Sequence, residues 1–454
     1  MNRRDGMDYS QTLAYLGKLG KYGINLGLGR ITRLLELLDH PERSFRAAHI
    51  TGTNGKGSVT AMLESVFRQA GLKTGMYTSP HLLEYTERIA IDGRPISRET
   101  FAAAVSIVAG AVEKMLAEGG EQPTEFEVLT AAAFWCFASA GVEYAAVEVG
   151  MGGLLDSTNV LIPDVAVITN VALDHTDRCG ATVEEIAVHK AGIIKPRIPV
   201  VTAAHGGSLA VVKDAAAKQG AALYVAGEHF GAEFASICCD SNGTPVGQTF
   251  KFWRAAAGET LLFRLGLLGP HQLENAGCAA MACFVLAERE PRLTLEAIER
   301  GLAAAAWPGR CEIFPGCPPI IVDGAHNPAG AKVLRRALDE LFPERQRVFV
   351  LGILKDKDIA GILGGLVKAG DRVIAVRPDS DRAAAPEVVA GLVPAGASAT
   401  VALSVEDGMA SAVRLAGSGG IVCAAGSLYM VGKARQAAKE LTGAALRNGE
   451  ESGT

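Results

Sequence analysis

Residues 45–71, FRAAHITGTNGKGSVTAMLESVFRQAG, contain the pattern that decides the fold of this chain. The stretch Phe45–Thr51 leads into the glycine-rich turn Gly52–Ser58, and apolar residues then recur at helical spacing, which predicts a strand, a loop and a helix. Glycines let backbone N–H groups close around phosphate oxygens, and the positive end of the following helix favours the same anion. Lys56 can reach the outer phosphates and Ser58 can offer a hydroxyl to Mg²⁺, so the stretch predicts an ATP site.

The register of this loop differs from that of the usual phosphate-binding loop. Gly57 stands between Lys56 and Ser58, and Gly52 lies three residues before Gly55 instead of five. Lys56 as a phosphate ligand therefore follows from the pattern more directly than Ser58 as a metal ligand. The alternative interpretation, a plain glycine-rich turn between a strand and a helix, leaves the lysine inside the loop unexplained.

Apolar runs alternate with helical patterns along both halves of the chain, which is typical of an α/β fold. The first half predicts an N-terminal P-loop-type ATPase domain with a mostly parallel sheet, and the second half predicts a C-terminal Rossmann-like α/β domain. We place the boundary near 300–310, which gives domains of residues 1–305 and 306–454. Further strands are expected at Tyr144–Val149, Val165–Asn170, Ile198–Thr202, Pro319–Asp323, Arg347–Gly352, Arg372–Arg377, Ala399–Val405 and Gly420–Ala424. Residues 220–268 predict a small antiparallel sheet, and a helix is expected from about Gln272 to Glu288.

The composition excludes several classes of function. The 454 residues carry a net charge of −5 and 49% are apolar, so neither nucleic acid nor an anionic membrane is expected as the main partner. The longest uncharged runs, Val128–Val142 and Leu415–Gly432, are too short or too rich in glycine to span a bilayer. The nine cysteines include no CxxC pair, which favours reduced thiols. The first residues do not form a signal peptide, and we expect a cytoplasmic protein.

A carboxylate and an imidazole follow two of the predicted strands. Glu148 lies at the end of one strand and His175 shortly after the next, where ligands bind in open α/β sheets. Together they could hold Mg²⁺ ions between a nucleotide and an acyl substrate. Each has an ordinary alternative, an ion-pairing carboxylate or a surface histidine. The glycines at 150, 152 and 153 favour the site, because they would let a ligand approach the backbone closely.

Seven segments resemble, in order, the folylpolyglutamate synthase/dihydrofolate synthase family of the Mur ligase superfamily. They are TGTNGKGS at 51–58, YTSPHLLEYTER at 77–88, EVGMGGLLDSTN at 148–159, DHTDRCGATVEEIAVHKAGIIK at 174–195, WPGR at 307–310, DGAHNP at 323–328 and GSLYMVG at 426–432. The resemblance implies an enzyme that uses ATP and Mg²⁺ to convert a folate-type carboxylate into an acyl phosphate, which the amine of L-glutamate attacks. It also implies a monomer whose partners are these small molecules, with a monovalent cation such as K⁺ as a further candidate cofactor.

The resemblance also implies roles for individual residues. Ser58, Glu148 and His175 would bind Mg²⁺, and Lys190 would join them after carbamylation by CO₂, which turns its cation into an anion. Catalysis would depend on Lys56, Lys190, Arg310 and His326. The ATP ligands would be Thr53, Asn54, Gly55, Lys56, Gly57, Ser58, Asn275, Arg310 and Asp323. The substrate ligands would be Ser79, Arg88, Thr124, Phe126, Asp156, His326 and Ser427.

The chemistry of several side chains agrees with these implied roles. The guanidinium of Arg88 can bind a substrate carboxylate through two N–H donors. Phe126 can stack on a flat pteridine, and Asp156 can accept hydrogen bonds from a ring N–H and an exocyclic amine. His326 would position the incoming glutamate. Without the resemblance, Phe126 reads as a core residue, and Asp156 and Arg310 as surface ion pairs.

Three other interpretations remain open. A peptidoglycan-type Mur ligase with another acceptor would carry a separate domain before the P-loop, and the 50 residues before Thr51 are too few for one. A P-loop kinase or nucleotide-driven switch would explain the first half alone, and a kinase would release a stable phosphorylated product. A non-catalytic nucleotide-binding protein would leave Lys56, Glu148, His175 and Lys190 without a purpose. The sequence leaves open whether the acceptor is dihydropteroate, tetrahydrofolate or both, the length and linkage of the glutamate chain, and whether Lys190 is carbamylated.

Overall fold

The computed structural model describes residues 6–20, 23, 25–174 and 176–451. The chain folds into two compact units. The first comprises the chain up to Glu233 with Lys251–Phe263 and Glu274–Ala305, and the second comprises Phe234–Phe250, Arg264–Leu273 and the chain from Ala306 onward. His175, which was predicted to bind Mg²⁺, lies outside the described residues.

Eight strands form the sheet of the first unit. They are β1 (Arg46–Thr51), β2 (Thr74–Tyr77), β3 (Ile89–Ile91), β4 (Arg94–Pro95), β5 (Tyr144–Glu148), β6 (Val165–Ile168), β7 (Val200–Thr202) and β8 (Leu223–Val225). Their order is β4-β3-β2-β5-β1-β6-β7-β8, with every pair parallel except those that involve β3 or β4. The mostly parallel sheet is therefore confirmed. The predicted ends of β5 and β6 were one or two residues too late, because the buried run of each strand continues into the following loop.

Helices cover this sheet. They are α1 (Tyr9–Leu19), α2 (Gly29–Glu36), α3 (Lys56–Gln69), α4 (Arg98–Ala117), α5 (Glu125–Ala140), α6 (Thr176–Cys179), α7 (Val183–Ala191), α8 (Gly206–Lys218), α9 (His271–Ala287) and α10 (Leu295–Ala304). One buried apolar cluster joins α1, α2, α4 and α5 to β2 and β5, and another joins α7 and α8 to β6 and β7. Each large side chain in these clusters, such as Phe101 or Phe134, contributes roughly 2–3 kcal/mol by leaving water. The helix predicted from Gln272 to Glu288 is α9.

Within the described residues, α4 is the one helix that is long and apolar enough to cross a membrane by length and composition. It packs against α1, α2 and α5, and its buried side chains run along one face from Phe101 to Met115. The core helix of a globular protein passes the same test, so the finding is weak evidence for a membrane span.

Three further strands follow β8, within the region predicted as a small antiparallel sheet. They are β9 (Phe230–Cys239), β10 (Pro245–Arg254) and β11 (Glu259–Leu265), in the order β11-β10-β9. Short turns connect them, and such turns can join only antiparallel neighbours. In the first of these turns, Asp240 N donates to Thr244 O over 2.9 Å.

The second unit contains a six-stranded sheet. Its strands are β12 (Glu312–Phe314), β13 (Ile320–Val322), β14 (Gln346–Leu351), β15 (Arg372–Ala375), β16 (Ser398–Val401) and β17 (Gly420–Ala425), in the order β12-β13-β17-β14-β15-β16. All pairs are parallel except β12 with β13. The helices are α11 (Pro328–Leu341), α12 (Ile359–Leu366), α13 (Pro386–Gly391), α14 (Val405–Ala416) and α15 (Leu428–Glu451). The Rossmann-like α/β pattern is confirmed, and only the short edge strand β12 escaped prediction.

Candidate active site

The loop Gly52–Ser58 connects the carboxyl end of β1 to the first turn of α3. Gly52 and Gly55 have φ angles of 154° and 84°, a backbone conformation that side chains disfavour. Neither position has room for a side chain, because a Cβ at Gly52 would lie 1.7 Å from Thr169 Oγ1 and one at Gly55 would lie 2.2 Å from Asn275 Oδ1. The second contact places Asn275, a predicted ATP ligand, directly against the loop.

Hydrogen bonds from the segment after β6 hold this loop in shape. Thr53 N donates to Asn170 O over 2.8 Å, and Asn54 N donates to Asn170 Oδ1 over 3.0 Å. Thr169 Oγ1 donates to Asn54 O over 2.6 Å. The loop therefore needs little further ordering to bind an anion, and the amino end of α3 adds its positive dipole.

Two lysines meet on one carbonyl of the loop. Lys56 Nζ donates to Gly52 O over 3.0 Å and to Thr53 O over 3.2 Å. Lys190, on α7, donates from Nζ to Gly52 O over 2.8 Å and is buried. Burial, together with the charge of Lys56, lowers the pKa of Lys190 from 10.5 to about 7. Lys190 therefore has a neutral amine for about half of the time near pH 7.

Glu148 ends β5 beside the base of the loop. It pairs in register with Ile50 on β1, two residues before Gly52, and only 5% of it is exposed. Ser79 N approaches its carboxylate at 3.4 Å, which ties the segment after β2 to the same place. The structure thus brings together Lys56, Lys190 and Glu148, which are far apart in the sequence.

The donor atoms around this loop suit a hard cation. In the part of the chain that the structure describes, no group of three or more His, Cys, Asp and Glu side chains is arranged to hold a metal. The hydroxyl of Ser58 and the carboxylate of Glu148 are buried oxygen donors, and a carbamate on Lys190 would add further oxygens. Oxygen ligands supplemented by water and phosphate are what Mg²⁺ prefers. These residues therefore fit Mg²⁺ better than a softer metal such as zinc.

An aromatic pair lines the segment that follows Glu148. The rings of Phe126 and Tyr77 stack with centroids 6.1 Å apart and 28° between their planes. A Cβ at Gly150 would lie 2.5 Å from Phe126 Cζ, so this ring rests on the glycine backbone. Thr124 caps α5, because its hydroxyl donates to Glu127 Oε2 over 2.9 Å and accepts from Glu127 N over 3.3 Å. Tyr77 was not predicted, because its position in a buried strand resembles that of an ordinary core residue.

Asp156 is buried in the same segment. Its Oδ2 accepts from Met151 N over 2.9 Å, and its Oδ1 accepts from Thr158 N over 3.0 Å and from Thr158 Oγ1 over 2.5 Å. Burial raises its pKa above the ordinary value of 3.8, against these hydrogen bonds. The backbone N–H of Gly150 is a further hydrogen-bond partner of this carboxylate, so the backbone of the segment after β5 holds Asp156 in place.

Arg88 forms no ion pair with a protein carboxylate within the described residues. Its Nε donates to His81 Nδ1 over 2.9 Å, and its guanidinium lies 5.1 Å from the centroid of the Tyr85 ring. Burial and the charge of Arg88 lower the pKa of His81 to about 4, so the imidazole is a neutral acceptor at physiological pH. Arg88 is thus oriented by neutral partners and keeps its charge for a ligand, while Ser79 lies half-buried on the neighbouring segment.

Three predicted residues of the second unit, Asp323, His326 and Ser427, follow β13 and β17, and a fourth, Arg310, lies just before β12. Asp323 accepts from Ala325 N and Cys311 N, both over 2.7 Å, and so fixes the backbone next to Arg310. His326 Nδ1 lies 2.8 Å from Gly324 O and therefore carries the donated proton. Gly426 N donates to Ala325 O over 2.9 Å, which joins the loop of His326 to that of Ser427. Ser427 Oγ accepts from Tyr429 N over 3.2 Å.

His271 belongs to the same unit and was not predicted. Burial and the charge of Arg310 lower its pKa, while the carboxylate of Asp323 acts in the opposite direction. Its place beside both residues follows only from the fold, since some 40 residues separate His271 from Arg310.

Two family comparisons cover most of the chain. Residues 50–283 match the Mur ligase middle domain, and residues 309–428 match the Mur ligase glutamate ligase domain. The chain is 39% identical over 386 residues to the folylpolyglutamate synthase of Lacticaseibacillus casei, covering 84% of this chain and 88% of that protein. It is 38% identical over 341 residues to the dihydrofolate synthase/folylpolyglutamate synthase of Bacillus subtilis, covering 74% and 77% of the two proteins.

Solved structures agree with this match. The Mycobacterium tuberculosis folylpolyglutamate synthase complexed with ADP and AMPPCP superposes with a TM-score of 0.83 at 33% identity, covering 96% of this chain and 99% of that chain. An Escherichia coli structure in complex with DHPP and ADP gives a TM-score of 0.83 at 30% identity, covering 96% and 98% of the two chains. The chain therefore belongs to the folylpolyglutamate synthase/dihydrofolate synthase family, whose members are ATP-dependent Mur-type ligases that add glutamate to folate.

Proposed function

We propose that this chain joins L-glutamate to a folate-type carboxylate, dihydropteroate or a tetrahydrofolate, through an acyl phosphate formed from ATP. The observation that carries the proposal is the meeting of Lys56 and Lys190 on Gly52 O, beside the buried Glu148. A preformed phosphate-binding loop with two lysines and a carboxylate at the carboxyl edge of a parallel sheet suits phosphoryl transfer. Relatives crystallised with ADP support the same choice of nucleotide.

The loop and its lysines would act on the nucleotide. A carboxylate oxygen of the folate-type substrate attacks the γ-phosphorus, the bond from that phosphorus to the bridging oxygen breaks, and ADP leaves. Lys56 offsets the repulsion between the two anions once its amine turns from Gly52 O to the phosphate. Ser58, Glu148, His175 and carbamylated Lys190 would hold Mg²⁺, whose charge neutralises the phosphates.

The lowered pKa of Lys190 supports its carbamylation. Only a neutral amine adds CO₂, and an ordinary lysine with a pKa of 10.5 is almost entirely protonated near pH 7. The pKa of about 7 supplies the neutral form. The amine nitrogen bonds to the carbon of CO₂ and releases a proton to solvent. The resulting carbamate is an anion next to Lys56, so it also removes the repulsion between the two cations.

Arg88, Phe126 and Asp156 would bind the folate-type substrate. The guanidinium of Arg88 has no protein carboxylate to neutralise it within the described part of the chain, and it can therefore pair with a carboxylate of the substrate. Phe126 would stack on the pteridine, and Asp156 would accept a hydrogen bond from an N–H of that ring. Ser79 and Thr124 would line the same pocket.

Residues of the second unit would complete the reaction. Arg310 and Asp323 are proposed to contact the nucleotide, with Arg310 on the phosphates. His326 and Ser427 would position glutamate, whose neutral amine attacks the acyl carbon. The bond from that carbon to the phosphate oxygen breaks, inorganic phosphate leaves, and the nitrogen loses a proton to form the amide. Closure of the site around the acyl phosphate would keep water away from it.

The remaining proposals concern the protein as a whole. We propose a cytoplasmic monomer, with K⁺ as a candidate additional cation. All nine cysteines are free thiols in the structure, which supports a reducing compartment.

The experiment is an ATP assay with labelled glutamate, run separately with dihydropteroate and with tetrahydrofolate. We expect phosphate release only when acceptor and glutamate are both present, and at least a roughly thousandfold loss of rate in Lys56→Ala without loss of the fold. The matched control is Lys251→Ala, an exposed lysine of the same unit, which should keep the wild-type rate. A stable phosphorylated product formed without glutamate would instead support a P-loop kinase, and full activity of Lys56→Ala would refute the loop assignment.

A further inference from the structure

A chain of hydrogen bonds leads from the interior of the sheet to Asp156. His49, on β1, is completely buried, and its Nε2 lies 2.8 Å from Thr158 Oγ1. Thr158 is also completely buried, and its hydroxyl lies 2.5 Å from Asp156 Oδ1, which also accepts from Thr158 N. The proposed pteridine-binding carboxylate is thus reached, through one threonine, by a histidine seven residues before Lys56.

The direction of these hydrogen bonds follows from the donors available. Nδ1 of His49 is buried and has no hydrogen-bond partner within the described residues, so the tautomer with its proton on Nε2 is the one that can donate. Burial and the charge of Lys195 lower the pKa of His49 to about 3, which keeps the ring neutral. The carboxylate of Asp156 can only accept, so the single hydroxyl hydrogen of Thr158 points to it, and Nε2 of His49 carries the proton that Thr158 accepts.

An apolar residue would serve better if His49 were only part of the core. An imidazole with an unpaired nitrogen in the interior costs free energy that a leucine or phenylalanine would not. The hydrogen bond between Nε2 of His49 and the Thr158 hydroxyl therefore explains why a histidine occupies this position. Its neighbour Thr51, on the same face of β1, donates from Oγ1 to Gly152 O over 2.7 Å. One face of β1 thus ties both ends of the segment Gly152–Thr158, while the strand continues directly into the ATP loop.

We propose that His49 is a positioning residue for the folate-type substrate: through Thr158 it holds Asp156 in the orientation that binds the pteridine. This inference rests on the proposed function, in which Asp156 contacts that ring. Without His49, the Thr158 hydroxyl could rotate away, and the carboxylate would have to be reoriented each time the substrate binds.

The first test removes the hydroxyl of Thr158 at nearly constant volume. Thr158→Val should raise KM for dihydropteroate, and its dissociation constant measured by calorimetry, about tenfold. Thr158→Ser should restore both, because it keeps the hydroxyl. Both kcat and the KM for ATP should stay within about twofold of the wild-type values in the two variants, because the hydrogen bonds of the ATP loop are unchanged.

Thr74→Val is the matched control. Thr74 is completely buried at the amino end of β2 and donates from Oγ1 to Glu64 Oε1 over 2.6 Å, so this variant loses the same kind of bond away from the site. We expect a comparable loss of thermal stability with unchanged KM values. A rise in KM for dihydropteroate in Thr74→Val equal to that in Thr158→Val would overturn the proposal, because a general loss of stability would then explain both.

The role of His49 itself is tested by replacing it with leucine and with glutamine. His49→Leu should raise KM for dihydropteroate as Thr158→Val does, and the double variant should be no worse than either single one, because both break the same chain. His49→Gln should raise KM for dihydropteroate less than His49→Leu does, since the glutamine amide can still donate a hydrogen bond to Thr158. Additive effects in the double variant would refute a shared role. If His49→Leu fails to fold, the two Thr158 variants and their control still decide the question.

Asp156→Asn separates this inference from the proposed function. If Asp156→Asn leaves the dissociation constant of dihydropteroate unchanged, Asp156 does not bind the pteridine, and the proposed site and this inference fail together. If Asp156→Asn weakens binding while His49→Leu and Thr158→Val do not, the proposed function stands and only the role of His49 is refuted.

Discussion

Replacing Lys190 by methionine gives the most direct test of the electrostatics around the loop. Lys190 is buried, its Nζ contacts Gly52 O, and its pKa falls from 10.5 to about 7. The unfolded chain therefore binds more protons at this residue than the folded chain between pH 7 and pH 10.5. The free energy of unfolding of the wild type should accordingly rise with pH over that window, relative to a variant that cannot titrate there.

The magnitude follows from the two pKa values. A fall from 10.5 to about 7 corresponds to roughly 5 kcal/mol in total, and to about 2 kcal/mol between pH 7 and pH 9. Below pH 7 the lysine is charged in both states, and the folded protein bears the full cost of the buried charge. Other titrating groups are common to both proteins, so the difference between wild type and Lys190→Met isolates the one residue.

The assay is urea unfolding of the nucleotide-free protein in buffer depleted of CO₂, at pH 7, 8 and 9. Between pH 7 and pH 9, the free energy of unfolding of the wild type should rise by about 2 kcal/mol relative to that of Lys190→Met. The same comparison with Lys251→Met, at an exposed position, should show no trend. A flat difference for Lys190→Met would refute the lowered pKa, and with it the argument that this lysine has a neutral amine ready for CO₂.

Two further predictions concern the loop and the acceptor site. Gly55→Ala should weaken ATP binding at least tenfold, because its Cβ would lie 2.2 Å from Asn275 Oδ1. Gly71→Ala shares a positive φ but has nothing within 4 Å, and it should lose only the roughly 1–2 kcal/mol of backbone strain. Arg88→Lys should raise KM for the folate-type acid about tenfold without changing KM for ATP. Lysine lacks the Nε–H that donates to His81, and it lacks the two parallel N–H donors with which a guanidinium binds a carboxylate. Equal ATP affinity for both glycine variants, or an unchanged KM in Arg88→Lys, would contradict these assignments.

Local sequence was sufficient for the elements of the fold. The apolar runs predicted β1, β5, β6 and β7 of the first sheet and β13 to β17 of the second, because a strand buried on both faces needs a continuous apolar stretch. They did not predict β2, β3 and β4, which are two to four residues long. Strand β8 lies in the region predicted to be antiparallel, but it pairs in parallel with β7. Strand β12 escaped because it contributes only three residues at an edge, where one face is not fully buried. Strand ends were less certain for the opposite reason: Val149 and Thr169 are as deeply buried as the strands they follow, so hydrophobicity does not mark where pairing stops.

The resemblance predicted the site residues, but it did not predict the contacts that each of them makes with its neighbours. Thr124 caps a helix and Asp156 holds a backbone turn, in addition to any contact with a substrate. Neither duty requires a distinctive sequence pattern, since capping threonines and turn aspartates occur throughout proteins. Tyr77 and His81 lie within segments that carry the resemblance. The contacts of Tyr77 with Phe126 and of His81 with Arg88 become evident only in three dimensions.

The glycine loop, its lysine, and the strand and helix that flank it are evident from local sequence, because they depend on the conformational freedom and charge of consecutive residues. The contacts between residues that are distant in the sequence become evident only in the folded chain. Asn275 lies against Gly55, Lys190 binds Gly52 O, and His49 reaches Asp156 through Thr158. Burial and long-range packing create these contacts and shift the pKa of Lys190, and neither effect is encoded in any short stretch of the chain.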